Sequence, residues 1–521
     1  MACKTLMVQG TGSGVGKSTV VAGLCRVFRD MGVRVAPFKA QNIALNSSIT
    51  IDGGEIARAQ ALQALASGIE PSVDMNPVLI KPSDKNTAQV IVHGKVCADV
   101  RAGTYHRLKK TLASDIKESF DRLCMQYDLI VLEGAGSAAE INLAKDEQVN
   151  MFMARYAGAP VLLVADIDRG GVFASFYGTV KLLGRDSRYI KGLIINGFRG
   201  NMDMFGPGLD MIRGKTGKPV VGVIPYINDI GLPEEDGWLM SRQGNAAGDR
   251  GNNAGTSRQR RDVPVVTIVV VKLQYISNFT DFDPLSCEQD VDLVFSGSPA
   301  VIRQADMVIV PGSKNTMDDL SFLRSTGMEH AIRDAHAKGT EIIGICGGYQ
   351  MLGKRLCNPY KTEGAIKRAN GIGLLDIETT FQRHKITCQV EAELVGGNGW
   401  LKAGRLKGLH AYEIHMGESR GDIGLFRINR LTADTEGRVK IQQTLMDGSM
   451  NGNCWGTYMH GIFENDRFRR YLLDRVRDKK GLGPLHRRSS YARAREGAID
   501  RLAKVIRVSL DMDFIKRTVG L

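Results

Sequence analysis

The stretch that most restricts the fold is "GTGSGVGKST", residues 10–19, set between the apolar run "KTLMVQG" and a segment with helical periodicity. A glycine-rich turn that joins a strand to a helix belongs to parallel α/β architecture. Backbone N–H groups of such a turn, with the positive end of the helix behind them, suit a polyphosphate. Lys17 is placed to reach the β- and γ-phosphates, and Ser18 to ligate magnesium. Five residues rather than the usual four separate Gly10 from Gly16 and Lys17. The candidate nucleotide-binding residues are Gly10, Thr11, Gly12, Ser13, Gly14, Gly16, Lys17, Ser18 and Thr19. The bland alternative is a glycine turn without a ligand. It is disfavoured because an apolar strand precedes the turn and an amphipathic helix follows it.

The same strand–helix alternation continues to about residue 240. "KTLMVQG", "VRVAPFK", "DLIVLEG", "PVLLVAD", "KGLIING" and "PVVGVIP" are nearly continuous apolar runs, as parallel strands covered on both faces require. Between the first two, Val20, Val21, Leu24, Val27, Phe28 and Met31 form one helical stripe that Gly32 ends. Residues 1–240 are therefore expected to form a doubly wound α/β domain. Residues 241–262 are rich in Gly, Asn, Ala and Arg and read as a disordered linker. Residues 263–521 read as a second, mixed α/β domain. It opens with the parallel-type strands "VPVVTIVVVKL", "ADMVIVPGS" and "EIIGIC", turns antiparallel after about residue 370, and closes on two charged helices. A chain of 521 residues is long enough for two cores.

Composition excludes several classes. No apolar run reaches the length of a membrane span, and the first residues lead directly into a strand rather than a signal peptide. Nine cysteines without a C-x-x-C pair argue against a disulfide framework or a zinc ribbon, and for a reducing cytoplasm. The net charge of +13 is concentrated in 258–262 and 469–495, with no nucleic-acid-binding signature beside it. It reads as a solvated basic face, and no nucleic acid or membrane partner is expected.

Two further places carry chemistry. Glu133 ends the strand in "YDLIVLEGAGS", where a carboxylate can hold magnesium opposite Ser18. A capping carboxylate is the alternative. Asn196, after "GLII", could read an adenine edge, although asparagine there is more often a turn former. In "GICGGYQMLG" (344–353), Cys346 sits between glycines at a strand-to-helix bend, the geometry of a nucleophile elbow. A helix start favours thiolate, and the Gly347 N–H, with Gly312 of "PGSKNT", could stabilise an oxyanion. The thiol needs a base: His460 in "TYMHGIF" leads and His415 in "YEIHMG" is the rival.

These residues together resemble a known family. The second half is similar to class I glutamine amidotransferases, with their G-x-C-x-G elbow and later histidine. The first half resembles the dethiobiotin synthetase group of phosphate-loop NTPases. That fusion is found in the amide synthases of cobalamin biosynthesis. "PFKAQNIALNSSIT", "DGGEIARAQALQALASGIEPSVDMNPVLIKPS", "LEGAGSAAEINL", "DIDRGGVFAS", "SNFTDFDPL" and "PGSKNTMDDL" resemble its cobyric branch. The resemblance implies Cys346 as nucleophile and His460, not His415, as base. It also implies ATP and Mg2+, glutamine as ammonia donor, and a corrinoid acceptor carrying four side-chain carboxylates to be amidated, with homo-oligomerisation left open.

Three departures stand out. Ile462 occupies the position where many amidotransferases carry a glutamate, so no third catalytic member is expected, and Glu464 is a poor substitute. "NGFRGN" (196–201) lacks the Lys and Asp of the family's version, and the 241–262 linker is longer than expected. Two rival readings remain. One is an enzyme of the same class acting on cobyrinic acid, against which "KAQNIALNSS" argues. The other is a nucleotide-switched scaffold or partitioning-type ATPase. Such proteins carry a lysine early in the loop, where this chain has Thr11 and Gly12, and they need no cysteine elbow.

Overall fold

All six apolar runs of the first half pair in one parallel sheet, in the order Val220–Pro225, Ile190–Phe198, Val161–Asp166, Lys4–Gly10, Leu129–Glu133, Val35–Phe38. The computed structural model describes residues 3–82, 87–101, 109–142, 147–227, 230–232, 265–397, 401, 406–434, 437–485 and 489–521; the expected linker at 241–262 lies outside them. Alternation along each strand divides the apolar residues between two cores. Leu6, Val8, Val131, Leu162 and Val164 face the helix Lys17–Asp30, while Met7, Ile130, Leu132, Leu163 and Ala165 face the opposite layer.

The helix Lys17–Asp30 is covered on a second side that its stripe does not announce. Ile499, Leu502, Ala503 and Ile506 of the helix Tyr491–Ser509 join its core, as do Ile515 and Val519 of the helix Met512–Val519. A Cβ on Gly23 would stand 2.5 Å from Ile506 Cγ1, so glycine permits the close approach. Arg26, 3% exposed, pairs with Glu496 and Asp500 of the same late helix. The end of the chain thus returns to the first core instead of staying with the second, as the 263–521 division had it. An apolar stripe must be buried somewhere, and Gly23 makes room for it there. Met31 of the expected stripe is 43% exposed.

The second sheet runs Val291–Ser296, Val266–Val271, Met307–Val310, Glu341–Ile345, Cys454–Thr457 in parallel, with Ser449–Asn451 antiparallel at its edge. Beside it lies a mainly antiparallel layer built on one long strand, Ile377–Leu394, paired with Leu409–Gly421 and Phe426–Ala433. That strand lies where the sequence is expected to turn antiparallel, after about residue 370.

A small hairpin of the first half, Ser47–Ile49 with Glu55–Ala57, reaches across to that layer. Gln389 Nε2 donates to Ile49 O at 2.8 Å, and Thr387 Oγ1 donates to Gly53 O at 2.7 Å. Glu55, 1% exposed, accepts from Lys81 of its own half and from Lys385 of the other, at 2.8 and 2.5 Å. Burial alone would push this carboxyl up, but the two ammonium groups outweigh it and hold it well below the carboxylate range.

Candidate active site

The phosphate loop is shaped by its glycines. Gly14 and Gly16 have φ of 68° and 96°, in the left-handed region that side chains avoid. A Cβ on Gly16 would lie 2.2 Å from Asn196 Nδ2. That amide donates to Val15 O at 3.0 Å, so Asn196 braces the loop from behind. One of its two amide N–H bonds is used there. Lys17 curls over the loop, donating from Nζ to Gly12 O at 2.7 Å and Gly136 O at 3.0 Å. Thr11 is tied to the sheet by its N–H on Val164 O at 2.9 Å and bridges Ser137, while Gly10 O accepts from Ala138. Ser13 in the loop and Thr19 in the first turn of the helix are both exposed.

Glu133 is 1% exposed at the end of its strand. Its Oε1 accepts from Ser18 Oγ and from Lys39 Nζ, both at 2.8 Å, and its Oε2 accepts from Gln63 at 2.5 Å and Gln60 at 3.5 Å. Ser18 and Glu133 therefore meet as the sequence suggests. Lys39, Gln60 and Gln63 were not singled out, although each lies in a segment that carries the family resemblance. Among the described residues no group of three His, Cys, Asp or Glu side chains could hold a metal. The donor set here, one hydroxyl and one carboxylate beside an N–H-lined loop, fits a magnesium ion completed by phosphate oxygens.

In the other half, Cys346 has φ 51° and ψ −108°, a strained conformation between the strand Glu341–Ile345 and the helix Gly347–Leu352. The bend is held on both sides, by Cys346 N on Thr457 O at 2.9 Å and by Gln350 N on Cys346 O at 3.1 Å. The flanking glycines are needed for packing as well: a Cβ on Gly348 would fall 1.9 Å from Val310 O, and one on Gly347 2.9 Å from Ser313 N. Cys346 is 6% exposed, and its Sγ lies 3.5 Å from Ile414 O.

His460 is brought to the thiol by the end of the strand Cys454–Thr457, which neighbours the Glu341–Ile345 strand. Buried Asp447 anchors that approach, accepting from Thr457 Oγ1 and from the Tyr458 N–H. Gly312 lies beside His460, since a Cβ on it would meet His460 Cε1 at 3.1 Å. The loop after it is stapled by Asp319, which accepts from Ser313 Oγ and from the Gln274 and Tyr275 N–H groups.

The imidazole has a carboxylate partner, which corrects the expectation of a two-member site. His460 Nδ1 lies 2.6 Å from Asp281 Oδ2, and Asp281 Oδ1 accepts from the Gly461 N–H at 3.1 Å. Burial opposes the charge on His460, yet Asp281 and Cys346 outweigh it and push its pKa up to about 10. Glu464, the weak alternative, is turned away to Arg58 and Arg495. His415 is not a rival: Nδ1 faces Gly417 O at 2.8 Å, Nε2 faces Glu413 at 3.2 Å, and the ring stacks on Tyr458.

Comparison with known proteins finds matches for both halves of the chain. Residues 6–237 match the family described as CobQ/CobB/MinD/ParA nucleotide binding domain, and residues 267–468 match the CobB/CobQ-like glutamine amidotransferase domain. The cobyric acid synthase of Thermodesulfovibrio yellowstonii is 45% identical over 518 residues, covering 99% of this chain and 100% of that one. Those of Syntrophobacter fumaroxidans and Photorhabdus laumondii are 43% and 45% identical, covering 99% and 98% of this chain and 99% and 97% of theirs. Among the described residues no helix is long and apolar enough to cross a membrane, and all nine cysteines are free.

Proposed function

The chain belongs to the cobyric acid synthase family, and from that premise we propose how its residues divide the work. It is an ATP- and glutamine-dependent amide synthase of cobalamin biosynthesis, acting on a corrinoid. The acceptor we propose is cobyrinic acid a,c-diamide, adenosylated or not, whose b, d, e and g carboxylates become amides in the cytoplasm.

A carboxylate does not condense with ammonia at neutral pH, because the oxygen that must leave is a poor leaving group. The first domain, taken as residues 1–240, transfers the γ-phosphoryl group of ATP to the acceptor carboxylate, releasing ADP and leaving an acyl phosphate. Loop N–H groups from Gly12 to Gly16 and the Lys17 ammonium carry the developing negative charge. Magnesium, held by Ser18 and Glu133 with the phosphates, would add its own charge neutralisation.

In the second domain the Cys346 thiolate attacks the glutamine side-chain carbon. The oxyanion that forms is taken by the Gly347 N–H, with Gly312 as the second donor. His460, positively charged and held by Asp281, protonates the departing nitrogen, and the C–N bond breaks to release ammonia. Neutral His460 then takes a proton from water, which cleaves the glutamyl thioester to glutamate and restores the thiolate. Ammonia reaches the acyl phosphate in the other domain, shielded from bulk water, and phosphate leaves.

The observation that carries this reading is the 2.6 Å contact of His460 with Asp281 beside the strained Cys346 elbow. A nucleotide-switched scaffold needs no such thiol. The test is Cys346→Ala: glutamine-dependent amidation of the a,c-diamide is expected to vanish while amidation from ammonium chloride persists, read by mass spectrometry as a gain of up to four amides. Undiminished glutamine hydrolysis in this variant would refute the assignment.

A further inference from the structure

The thiol site is finished by the other half of the chain. Ser47, at the start of the first-half hairpin, donates its N–H to Asn278 Oδ1 at 2.9 Å, and its carbonyl accepts from Tyr412 OH at 3.2 Å. Both partners lead straight to the catalytic imidazole. Asn278, at φ 52°, starts the turn that carries Asp281, whose N–H bonds Asn278 O at 3.0 Å. A non-glycine residue in that conformation persists only when its surroundings hold it. Tyr412 stacks on His460 with ring centroids 5.4 Å apart, exchanges backbone hydrogen bonds with it, and has its hydroxyl 3.5 Å from Asp281 Oδ1. On the next inward position of the hairpin, Ile49 packs with Tyr412 and Ile414, and the Ile414 carbonyl is the one against Cys346 Sγ.

The hairpin's other end leads to the phosphate site. Ala57 passes without a break into the helix Arg58–Ser67, whose Gln60 and Gln63 bond Glu133. Glu133 is also ion-paired to Lys39 and bonded to Ser18. A cation shared by Ser18 and Glu133 competes with these donors for the same carboxylate oxygens, so its arrival alters what holds the helix. Arg58, first in that helix, pairs with Glu464, four residues beyond His460.

We propose that Tyr412 and Asn278 are positioning residues through which Ser47 of the first domain sets Asp281 and His460, so that occupancy at Glu133 changes the reactivity of Cys346. The proposal rests on the reading of Cys346 and His460 as the glutaminase pair. Its physical warrant is one unbroken set of hydrogen bonds and apolar contacts that both sites bias, which is what a coupling free energy requires.

The measurement is the rate at which iodoacetamide alkylates Cys346, followed on its own peptide by mass spectrometry between pH 6 and 10, with and without magnesium and ATP. In the intact chain the nucleotide is expected to change that rate about fivefold or more, the low end of usual coupling. Tyr412→Phe removes only the hydroxyl, and Asn278→Gly keeps the positive φ while losing the side-chain bond. In each variant the ratio of rates with and without nucleotide falls toward one, while ammonium-dependent amidation continues. Amide exchange over residues 47–57 responds to nucleotide in the intact chain and also in Tyr412→Phe, because the input side of the link is left whole. A nucleotide response that survives in both variants, or its absence in the intact chain, overturns the proposal. Neither result touches the glutaminase reading, which fails only if Cys346→Ala still hydrolyses glutamine.

Discussion

Replacing Asp281 by Asn tests the site at its least expected member. The substitution keeps the shape and deletes the charge facing His460 Nδ1 at 2.6 Å. A hydrogen bond to a charged group is worth about 1.5–3 kcal/mol. Each 1.36 kcal/mol is one pKa unit or a factor of ten in rate. The alkaline limb of glutaminase activity, expected near pH 10 from the raised His460, should therefore move down by about 1–2 units in the variant. The rate constant at pH 8 should fall about 10–100-fold, with KM for glutamine less affected. Stability carries the same signature. The folded pKa lies above the unfolded value of 6.5, so the pair's contribution is complete below about pH 6.5 and is lost as pH rises through about 10. Thermal unfolding of the intact chain should thus lose stability across that window more steeply than Asp281→Asn does. The assay is ammonia release from glutamine between pH 6 and 10.5, with melting curves at the same pH values. An unshifted alkaline limb with an unchanged rate constant would show that Asp281 does not set the protonation of His460.

Other perturbations separate the two halves. Glu133→Gln weakens the ion pair to Lys39 and the seat proposed for magnesium, and should lower ammonium-dependent amidation about 100-fold with glutamine hydrolysis retained, measured by separate product assays. Glu55→Gln leaves Lys81 and Lys385 buried without their carboxylate and should destabilise the chain by about 3–5 kcal/mol in denaturant melts at pH 7. Because the folded pKa of Glu55 is depressed, its contribution is present above the unfolded pKa near 4.5 and is lost as pH falls through the folded value. Gly23→Leu sets side-chain atoms where Ile506 already lies and should cost about 1–3 kcal/mol or more, with faster proteolytic release of the helix Tyr491–Ser509.

Much of the framework was legible because its signals are local. Six apolar runs bounded by turns became the six strands of the first sheet, since a strand buried on both faces must be apolar at every position. The phosphate loop, with Ser18 opposite Glu133, and the bend at Cys346 were legible for the same reason: glycines mark positive φ or close approach at the residues that need it. The strand Val291–Ser296 was not legible. Apart from Val291 its residues are only partly buried at the sheet edge, and its mixed "VDLVFS" lacks a continuous apolar run. The C-terminal helices were read, but their return to the first core was missed, because an amphipathic stripe says that a face will be buried and not which core will bury it. The exposed Met31 shows the same limit at the end of a stripe that was otherwise well placed.

The carboxylate that faces His460 eluded sequence reasoning for a topological reason. A search along the chain from His460 finds Ile462 and then Glu464, and neither touches the imidazole. Asp281 lies 179 positions upstream, on the turn following the first strand of its sheet. Parallel strands gather the loops at their C-terminal ends onto one edge of a sheet regardless of chain order. The strands ending at Val271, Val310, Ile345 and Thr457 therefore deliver Asp281, Gly312, Cys346 and His460 to one place. A signal was nevertheless present. "SNFTDFDPL" was distinctive enough to help identify the family, yet no role was attached to its polar residues. Its asparagine is bound by Ser47 of the other half and its first aspartate by the histidine. A conspicuous polar segment just beyond a buried parallel strand is thus best read as a supplier to the shared edge, with its partners sought among the other strand ends before the neighbouring residues.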